Sequence, residues 1–540
     1  MACPSILGEA RKAWASQLHA AKQSAQGSIV LLAGNLMATI GQTVASILIA
    51  RLLGPEQYGT YSLALVIPSI IQLFVSLGVN TAVTRFVAYH VSIHENEVAK
   101  RFAESALLVT FFSGIVLSGV CFLSASAFSN YVFHRAYLAQ YVELASAIVC
   151  AQALLNTAIA AAIGWNAMGQ ASFANIVVAF TKLLLSPLLI VTGFGLFGAI
   201  AGQTLAAVLG AGIAVAVLFG TKLRPFGVRW QSLASDAKQM MSFGLPAFIA
   251  GFLSGVWPYY LSVVLAAVAS DVVIGYYQAA SNFTIAISLL SGAAGSALCP
   301  AFTSLHGGKG DLPSALKLAV KFVAYVTIPV IFLLAATAGQ LMVLFYGHSF
   351  AAGATFLVIL AVSATPVLLG LTVLPSFFNG VARTRLTLFM VGLGAVVLFV
   401  SAPILAIALN LGVDGMIYGL FLSNLVTGLV GVYLFRLQFS SWIDFRANIS
   451  TLAAGLMSFG LCYLVPPLSS NLLILVLKLA VFSLAYLTLG PLLRAVRYDD
   501  LEILGAALGE MPVLKGPIRL LIAYEKFFAS RDKSLPSVDE

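Results

Sequence analysis

The sequence predicts an all-α protein that crosses a membrane about fourteen times. Hydrophobic residues make up 60% of the 540-residue chain and charged residues only 9%, with a mean hydropathy of +1.01. A soluble domain carries about 25% charged residues, so lipid is the expected solvent for most of this surface. Apolar stretches of about 20 residues, the length that spans a bilayer, recur along the chain. They lie at 28–50, 61–83, 103–124, 139–163, 171–192, 196–219, 241–264, 273–298, 318–338, 352–375, 386–408, 412–435, 449–466 and 472–493.

The positive charges predict how these spans are oriented. All but four of the 28 Lys and Arg residues lie in the tails, in every second loop or at the edge of such a loop. Arg51 and Arg135 lie in the alternate loops, and Lys182 and Lys478 lie inside apolar stretches. Loops rich in Lys and Arg are cytoplasmic as a rule. We therefore expect a multi-pass protein of the plasma membrane with both termini in the cytoplasm.

An internal repeat at an offset of about 216 residues relates two halves of the chain. Gly59-Thr60-Tyr61 matches Gly275-Tyr276-Tyr277, and Gly198-Ala199-Ile200-Ala201-Gly202 is echoed by Gly415-Met416-Ile417-Tyr418-Gly419. The repeating unit holds six spans, and because six is even the two units share one orientation. Such a parallel repeat predicts two six-helix lobes, with a substrate path between them. Two extra C-terminal helices follow the lobes.

These patterns divide the chain into six expected segments. The last segment places apolar residues at rough helical spacing among Arg and Lys residues. We expect it either to lie on the membrane face as an amphipathic helix or to dock loosely. The segments are a cytoplasmic tail at 1–27, an N-lobe with spans 1–6 at 28–219, a cytoplasmic linker at 220–240, a C-lobe with spans 7–12 at 241–435, spans 13 and 14 at 436–494, and a cytoplasmic amphipathic tail at 495–540.

Composition and spacing argue against several other classes of protein. The net charge of +9 does not indicate nucleic-acid binding, because the positive charges alternate with topology and form no single patch. They are expected to meet anionic lipid headgroups. The five cysteines and six histidines lack metal-ligand spacing, and no enzyme motif is present. We expect no catalytic residue, no metal and no cofactor.

Small polar side chains form stripes along three predicted spans. Polar groups are costly in hydrocarbon, so these stripes either line a hydrophilic cavity or join helices by hydrogen bonds. We favour the cavity. In span 7, glycines and prolines predict a bend. The stripes are Asn35, Thr39, Gln42 and Ser46 in span 1, Ser69, Gln72, Ser76 and Asn80 in span 2, and Gln278, Ser281, Asn282 and Ser288 in span 8.

Lys182, in the middle of span 5, is the charge that its apolar surroundings make most costly. It needs either an acidic partner or an anionic substrate. Glu104 and Glu143, near the ends of spans 3 and 4, are the candidate partners, and both alternatives stay open. Lys478 in span 14 is expected to snorkel outward. Arg51 and Arg85, at span ends, are candidate gating or orienting charges.

Residues 47–88 resemble a known family. Ile47-Leu48-Ile49-Ala50-Arg51-Leu52-Leu53-Gly54-Pro55-Glu56-Gln57-Tyr58-Gly59-Thr60-Tyr61 resembles the first-loop signature of polysaccharide-type flippases. Gly78-Val79-Asn80-Thr81-Ala82-Val83-Thr84-Arg85-Phe86-Val87-Ala88 is similar to the end of that family's second span. These proteins belong to the multidrug/oligosaccharidyl-lipid/polysaccharide (MOP) exporter superfamily, with the MATE antiporters and the lipid II flippases. The resemblance covers roughly residues 28–435.

The resemblance implies two six-helix lobes arranged as a V, with a cavity lined by spans 1, 2, 7 and 8. It implies a non-enzymatic flippase that moves a polyprenyl-(pyro)phosphate-linked oligosaccharide to the outer leaflet by alternating access, for surface polysaccharide or glycoprotein biosynthesis. Lys182 is our candidate for the phosphate contact. The expected partners are that lipid-linked substrate, membrane lipids and glycan-assembly enzymes, and the chain is expected to be a monomer. The alternative is a MATE-like multidrug or cation antiporter, although no Asp lies in the middle of any span.

Overall fold

The computed structural model describes residues 4–223, 227, 230–308, 310–466, 470–502 and 515–529. These residues are mostly helical, which confirms the all-α prediction. In this part of the chain, eleven helical stretches are long and apolar enough to cross a membrane. Two of them, Val30–Val75 and Met168–Thr221, have 46 and 54 residues; the second covers two predicted spans, and the first covers nearly all of span 1 and the larger part of span 2. The count of fourteen crossings stays a prediction. By internal contacts the chain divides into two units, Met1–Gly275 and Tyr276–Glu540.

The first unit begins with a long helix that changes direction at Gly54. Helix α1 runs from Pro4 to Ala64 and includes the predicted tail, the first span and the first loop. Gly54 has a φ of +76°, which glycine adopts without a steric penalty, and Pro55 follows it. The unit continues with α2 (Val66–Val75), α3 (Val79–Ser92), α4 (Asn96–Ala127), α5 (Ala139–Ala145), α6 (Ala147–Gly164), α7 (Met168–Leu189), α8 (Gly195–Thr221), α9 (Trp230–Gly255), α10 (Trp257–Val268) and the start of α11 (Asp271–Phe283).

Helices α1 and α7 pack along small residues. A Cβ atom on Gly34 would lie 2.3 Å from the Cβ of Ser172, and one on Gly41 would lie 3.2 Å from the Cβ of Ala179. Small residues let helix backbones approach closely, which is a main basis of helix association in membranes. The two contacts share one sequence offset, so the helices run parallel in a defined register. This register determines which part of α1 lies beside Lys182.

Three of the predicted spans in the first unit, spans 2, 4 and 7, are divided between consecutive helices. Span 7 breaks between α9, which ends at Gly255, and α10, which begins at Trp257, so the predicted bend is confirmed. Span 2 breaks between α2 and α3, where Leu77 and Gly78 have φ values of +41° and +86°. A Cβ atom on Gly78 would lie 2.2 Å from the carbonyl oxygen of Gly244. Only glycine therefore allows α9 to approach α3 this closely.

The second unit is a helical bundle with two apolar cores. One core contains Ile328 and Phe332 of α13 together with Phe482 of α19. The other contains Phe377 of α15 and Phe435 of α17. Burying an aromatic or aliphatic side chain excludes lipid from the seam and fixes the helix register through packing. After α11 the unit contains α12 (Ile285–Gly307), α13 (Leu312–Leu341), α14 (Gly353–Val362), α15 (Val373–Gly380), α16 (Thr384–Pro403), α17 (Gly412–Phe439), α18 (Phe445–Leu461), α19 (Asn471–Leu492) and α20 (Lys515–Phe528).

The C-terminal helix α20 docks on this unit through a buried carboxylate. Glu525 is 2% exposed, and its Oε1 accepts a hydrogen bond of 2.5 Å from the hydroxyl of Tyr325 in α13. Before the helix, Asp500 pairs with Lys321, also of α13. These contacts favour a docked tail over a helix held by the membrane alone. The apolar residues of the predicted tail at 503–514 lie outside the described residues.

Docking of α20 is expected to weaken as pH rises. Burial raises the pKa of Glu525 from 4.5 to about 7, although the hydrogen bond from Tyr325 favours the ionised form. Between these two values the docked carboxyl binds more protons than the released one, so raising the pH through this window disfavours docking. Hydrogen exchange in α20, corrected for intrinsic rates, should therefore be faster at pH 8 than at pH 5. The Glu525→Gln variant should lose this difference; a full pH dependence in the variant would assign the effect to another group.

Candidate functional site

The polar stripe of span 1 lies beside the seam between α1 and α7. At the seam, the Nδ2 atom of Asn175 donates to Oδ1 of Asn35 at 3.0 Å. The hydroxyl of Thr39 donates to the backbone carbonyl of Asn35 at 2.8 Å. Gln42 is exposed and Ser46 is half-buried. The stripe therefore divides into two residues that bond locally and two polar residues further along whose side chains are at least partly accessible.

The sequence pattern predicts one continuous polar face for span 2, but the structure divides this stripe between two helices. The helix break after Ser76 places Asn80 on a separate helix. There, Oδ1 of Asn80 accepts a 2.8 Å hydrogen bond from Thr157, whose hydroxyl also lies 3.1 Å from that of Thr110. Asn80 thus joins helices by hydrogen bonds. Gln72 and Ser76 remain half-buried on the other side of the break.

The polar residues of span 8 bond within the second unit. The Nδ2 atom of Asn282 donates to the hydroxyl of Tyr346 at 3.0 Å. The hydroxyl of Ser281 donates to Oε1 of Gln278 at 3.2 Å. Polar groups buried in hydrocarbon need such partners. Asn282 therefore joins α11 to the segment that contains Tyr346, which is the second of the two roles considered for the stripes.

Lys182 is buried in α7 at the level of the polar residues of span 1. It is 9% exposed. The register of α1 and α7 places it beside residues 42–46, which include Gln42 and Ser46. In the described part of the chain, no carboxylate lies within ion-pair distance of its ammonium group. An unpaired buried charge costs several kcal/mol, so this position favours the approach of an anion.

The two acidic residues that the sequence offered as partners of Lys182 have other surroundings. Glu104 is 5% exposed in α4, and its carboxylate accepts a hydrogen bond from the backbone N–H of Gly227. Glu143 is half-buried in α5. Lys478, the lysine of predicted span 14, does not snorkel outward, contrary to expectation. Its ammonium donates to the carbonyl of Ala336 at 2.7 Å, because α19 packs against α13 and brings that acceptor within reach.

Arg135 organises a cluster at the end of the first unit that is predicted to be external. Its Nε donates to Oδ1 of Asp271 at 2.6 Å. Its Nη1 donates to the carbonyls of Phe133 and Ala266, at 2.9 and 2.8 Å, and its Nη2 donates to the carbonyl of Ala269 at 2.6 Å. A guanidinium at a helix C-terminus satisfies free carbonyls and complements the helix dipole. Arg135 thereby holds the end of α10 and the start of α11 together.

Asp271 accepts hydrogen bonds from two other segments of the first unit. It is the first residue of α11, where a negative charge is favourable for the helix dipole. Besides the Arg135 guanidinium, its Oδ2 accepts hydrogen bonds from the hydroxyls of Thr60, at 2.9 Å, and of Tyr137. The Asp271 side chain is 12% exposed, so these charge-assisted bonds are largely shielded from water. We call Arg135, Asp271, Thr60 and Tyr137 the Asp271 cluster.

Next to this cluster, the part of α1 that follows Gly54 crosses the first turns of α11. The crossing lies at two glycines that occupy equivalent positions in the internal repeat. A Cβ atom on Gly59 would lie 1.9 Å from the carbonyl oxygen of Asp271, and one on Gly275 would lie 2.0 Å from that of Pro55. Pro55 and Asp271, like Gly59 and Gly275, are separated by the 216 residues of the repeat. Each helix therefore presents the same two positions to the other, as in a two-fold symmetric contact.

At the opposite end of the unit, α9 is held against α3 and α4. The Arg85 guanidinium lies 4.1 Å from the centre of the Phe243 ring, a cation–π contact. Asp236, which is 3% exposed, accepts a 3.0 Å hydrogen bond from Ser105 and lies 3.3 Å from the Nε of Arg101. Arg51, the other predicted gating charge, is exposed on α1.

Sequence reasoning missed the Asp271 cluster, although two signals for it were present. Arg135 is one of only two basic residues in the alternate loops. Asp271 aligns with Pro55 under the repeat offset and so stands at the start of the second copy of the motif. Neither signal indicated that the two residues meet, because they are 136 residues apart.

Comparison with known proteins adds a family and a set of related folds. The sequence profile described as "Polysaccharide biosynthesis protein" matches residues 24–306, just over half of the chain. Comparison with the curated proteins gives no match.

Several solved structures share the fold. An inward closed conformation of the lipid II flippase MurJ aligns with a TM-score of 0.68 at 13% identity, over 88% of this chain and 100% of the other. An inward-facing multidrug resistance MATE transporter of the MOP superfamily aligns with a TM-score of 0.63 at 18% identity, over 76% and 98%. A MOP superfamily transporter from Pyrococcus furiosus aligns with a TM-score of 0.54 at 18% identity, over 78% and 96%. The chain is therefore a member of the polysaccharide biosynthesis protein family, with the fold of the MOP superfamily transporters.

Proposed function

We propose that this protein is a flippase that moves a polyprenyl-(pyro)phosphate-linked oligosaccharide from the cytoplasmic to the outer leaflet. The observation that carries the proposal is the match of residues 24–306 to the polysaccharide biosynthesis family, on a chain whose fold resembles that of a lipid II flippase. A sugar chain and a phosphate group cannot cross hydrocarbon without a polar surface to replace their water. We infer that polar side chains of the membrane-spanning helices supply that surface.

Lys182, Gln42 and Ser46 are the residues that we assign to the substrate. They lie at one level of the α1–α7 pair, and Lys182 has no carboxylate partner among the described residues. An ammonium group attracts a phosphate as a point charge, while amide and hydroxyl groups can bind sugar hydroxyls. The lipid tail would remain outside, in the membrane, where it needs no protein partner.

Alternating access requires that one end of the substrate path opens while the other closes. We assign the Asp271 cluster to closure at the predicted outer end. The carboxylate of Asp271 and the guanidinium of Arg135 close this end through hydrogen bonds that water can replace once the helices separate. The crossing at Gly59 and Gly275 brings the backbones into contact at the same place.

Reconstitution tests the proposed transport directly. Purified protein in proteoliposomes should move a fluorescent undecaprenyl-pyrophosphate-linked sugar between leaflets, measured by the fraction that a membrane-impermeant quencher can reach. A dolichyl-linked probe compares the two carriers. Ethidium uptake into the same vesicles tests the antiporter alternative. Transport of ethidium together with no movement of either lipid-linked probe would overturn the proposal in favour of that alternative.

A reversible cross-link should arrest transport if the Asp271 cluster opens in each cycle. In a variant whose native cysteines are replaced, we introduce Thr60→Cys and Asp271→Cys, whose native side chains are 2.9 Å apart. A short bifunctional thiol reagent should reduce the flipping rate at least tenfold relative to the same variant before cross-linking, and dithiothreitol should restore that variant's own rate. The control pair is Gln170→Cys with Thr221→Cys, which joins α7 to α8 across a 3.2 Å contact. Cross-linking the control pair should leave the rate unchanged, whereas normal transport by the cross-linked Thr60/Asp271 pair would refute the gating role.

A further inference from the structure

An elongated apolar cavity lies among α4, α6 and α8 of the first unit. Its volume is about 430 Å³. Its walls include Leu107 and Phe111 of α4, Ala151 of α6, and Gly212 and Phe219 of α8. Small residues create the space: a Cβ atom on Gly212 would meet no atom within 4 Å. All three helices belong to stretches that are long and apolar enough to span the membrane, so the cavity lies at membrane depth.

The cavity runs along the helix axes. Helices α4 and α6 are antiparallel, since Thr110 contacts Thr157 while Ser118 contacts Cys150. Glu104 of α4 lines one end of the cavity, and Ala147 of α6 lines the other. Because Cys150 lies beside Ser118 and α6 is antiparallel to α4, Ala147 lies beyond Ser118 as seen from Glu104. At 1.5 Å per residue, the distance from Glu104 to the level of Ser118 is about 20 Å. This length exceeds the roughly 15 Å of hydrocarbon in one leaflet, so the cavity can hold a chain that lies parallel to the membrane normal.

One end of the cavity carries the only charged side chain among the residues that line it. Glu104 lies in the third turn of α4, one residue after the start of predicted span 3, and is 5% exposed. Its carboxylate accepts one hydrogen bond from the backbone of Gly227. Of the neighbouring cations of α4, Arg101 pairs with Asp236, whereas Lys100 pairs with the exposed Glu97 and also attracts the Glu104 carboxylate. The carboxylate retains acceptor capacity for a ligand, because an ionised carboxylate has about four lone-pair sites.

We propose that this cavity binds one acyl chain of a membrane phospholipid whose headgroup carries a primary ammonium, with that ammonium bound to Glu104. The apolar walls fit the chain, the axial direction fits a lipid of one leaflet, and the negative charge at one end of the cavity fits a cationic group. The site belongs to α4, α6 and α8. It is separate from Lys182 and from the Asp271 cluster, so a failure of the proposed transport function would leave it untouched.

Native mass spectrometry of protein from nanodiscs tests the site. The discs contain equal amounts of phosphatidylethanolamine and phosphatidylglycerol. We expect one phosphatidylethanolamine to remain bound after mild delipidation, with about a tenfold preference over phosphatidylglycerol, the effect of one charge-assisted contact. The Glu104→Gln variant keeps the shape of the side chain and should retain a lipid with no preference. The Gly212→Leu variant fills the cavity and should lose the lipid.

The matched control for Gly212→Leu is Gly220→Leu. Gly220 lies on the same helix, also faces open space and is not among the residues that line the cavity, so its substitution should leave the bound lipid in place. If Gly212→Leu fails to fold, Glu104→Gln still decides the question. An unchanged headgroup preference in Glu104→Gln would overturn the proposal. Equal retention of both lipids by the wild-type protein would also overturn it, because the cavity would then hold ordinary surrounding lipid without selection.

Discussion

Replacing Gly59 or Gly275 by alanine is expected to reduce transport at least tenfold. The added Cβ atom would lie 1.9 Å from the carbonyl oxygen of Asp271 in the first case and 2.0 Å from that of Pro55 in the second. Both obstacles are backbone atoms, which cannot rotate aside as a side chain can. Overpacking of this kind costs about 1–3 kcal/mol or more, and here it falls on the contact that we propose to close the outer end of the substrate path. Flipping rates in proteoliposomes, normalised to folded protein, measure the effect.

Two further variants separate closure from general stability. A Cβ atom added at Gly119 or Gly251 would meet no atom within 4 Å, so alanine at either site should leave the rate and the melting temperature near wild type. Gly59→Ala and Gly275→Ala should each increase the modification of a cysteine placed at Thr60 by a membrane-impermeant maleimide. A Gly275→Ala protein that transports at the wild-type rate would show that the close crossing has no role in transport.

Removing the ammonium group of Lys182 is expected to have the second large effect. Lys182→Ala should lower the flipping rate by about 10- to 100-fold, the contribution of a charged hydrogen bond to a phosphate. Insertion and abundance should be unaffected, because the substitution removes a buried charge from an apolar span. Lys182→Arg keeps the charge but changes its shape, and should restore part of the rate. The measurement combines the flipping rate with the amount of folded protein in the membrane.

Lys478 provides the matched control for Lys182. It also lies inside a predicted span, but its ammonium is bonded to the carbonyl of Ala336 and to Gln340. Lys478→Ala should therefore lower the melting temperature and leave the rate per folded molecule unchanged. If Lys182 belonged to an ion pair, Lys182→Ala would strand a carboxylate and lower abundance, and a second change of Glu143 or Glu104 to glutamine would restore it. A stable Lys182→Ala protein with full transport would remove Lys182 from the substrate site.

Much of the architecture follows from features that are local in the sequence. An apolar run of about 20 residues must form a helix in lipid, because no water is present to bond its backbone groups. The helical class and the bend near Gly255 could therefore be predicted from the sequence, and the structure confirms both. The internal repeat also matched Gly59 with Gly275, and the structure explains why both positions hold glycine: each lies at a close helix crossing.

Contacts between distant segments could be decided only by the tertiary structure. The sequence placed Asn80 in line with Ser76, but Gly78 breaks that helix to admit Gly244, so Asn80 bonds to Thr157 instead. In the same way, hydropathy indicated that burying the charge of Lys182 or of Lys478 costs free energy. The packing of α19 on α13 gives the Lys478 ammonium a carbonyl acceptor, whereas the described contacts of Lys182 include no such acceptor. The burial of Glu525 against Tyr325 likewise depends on how the tail folds back.

The sequence by itself determined the solvent, the helical class and the family of this protein, because each depends on composition or on short runs of residues. The tertiary structure decided which polar groups are already bonded to distant parts of the chain. The physical reason is that a buried polar group takes the nearest acceptor or donor that packing provides. Arg135 and Asp271 find each other across 136 residues of chain. No local pattern encodes that distance.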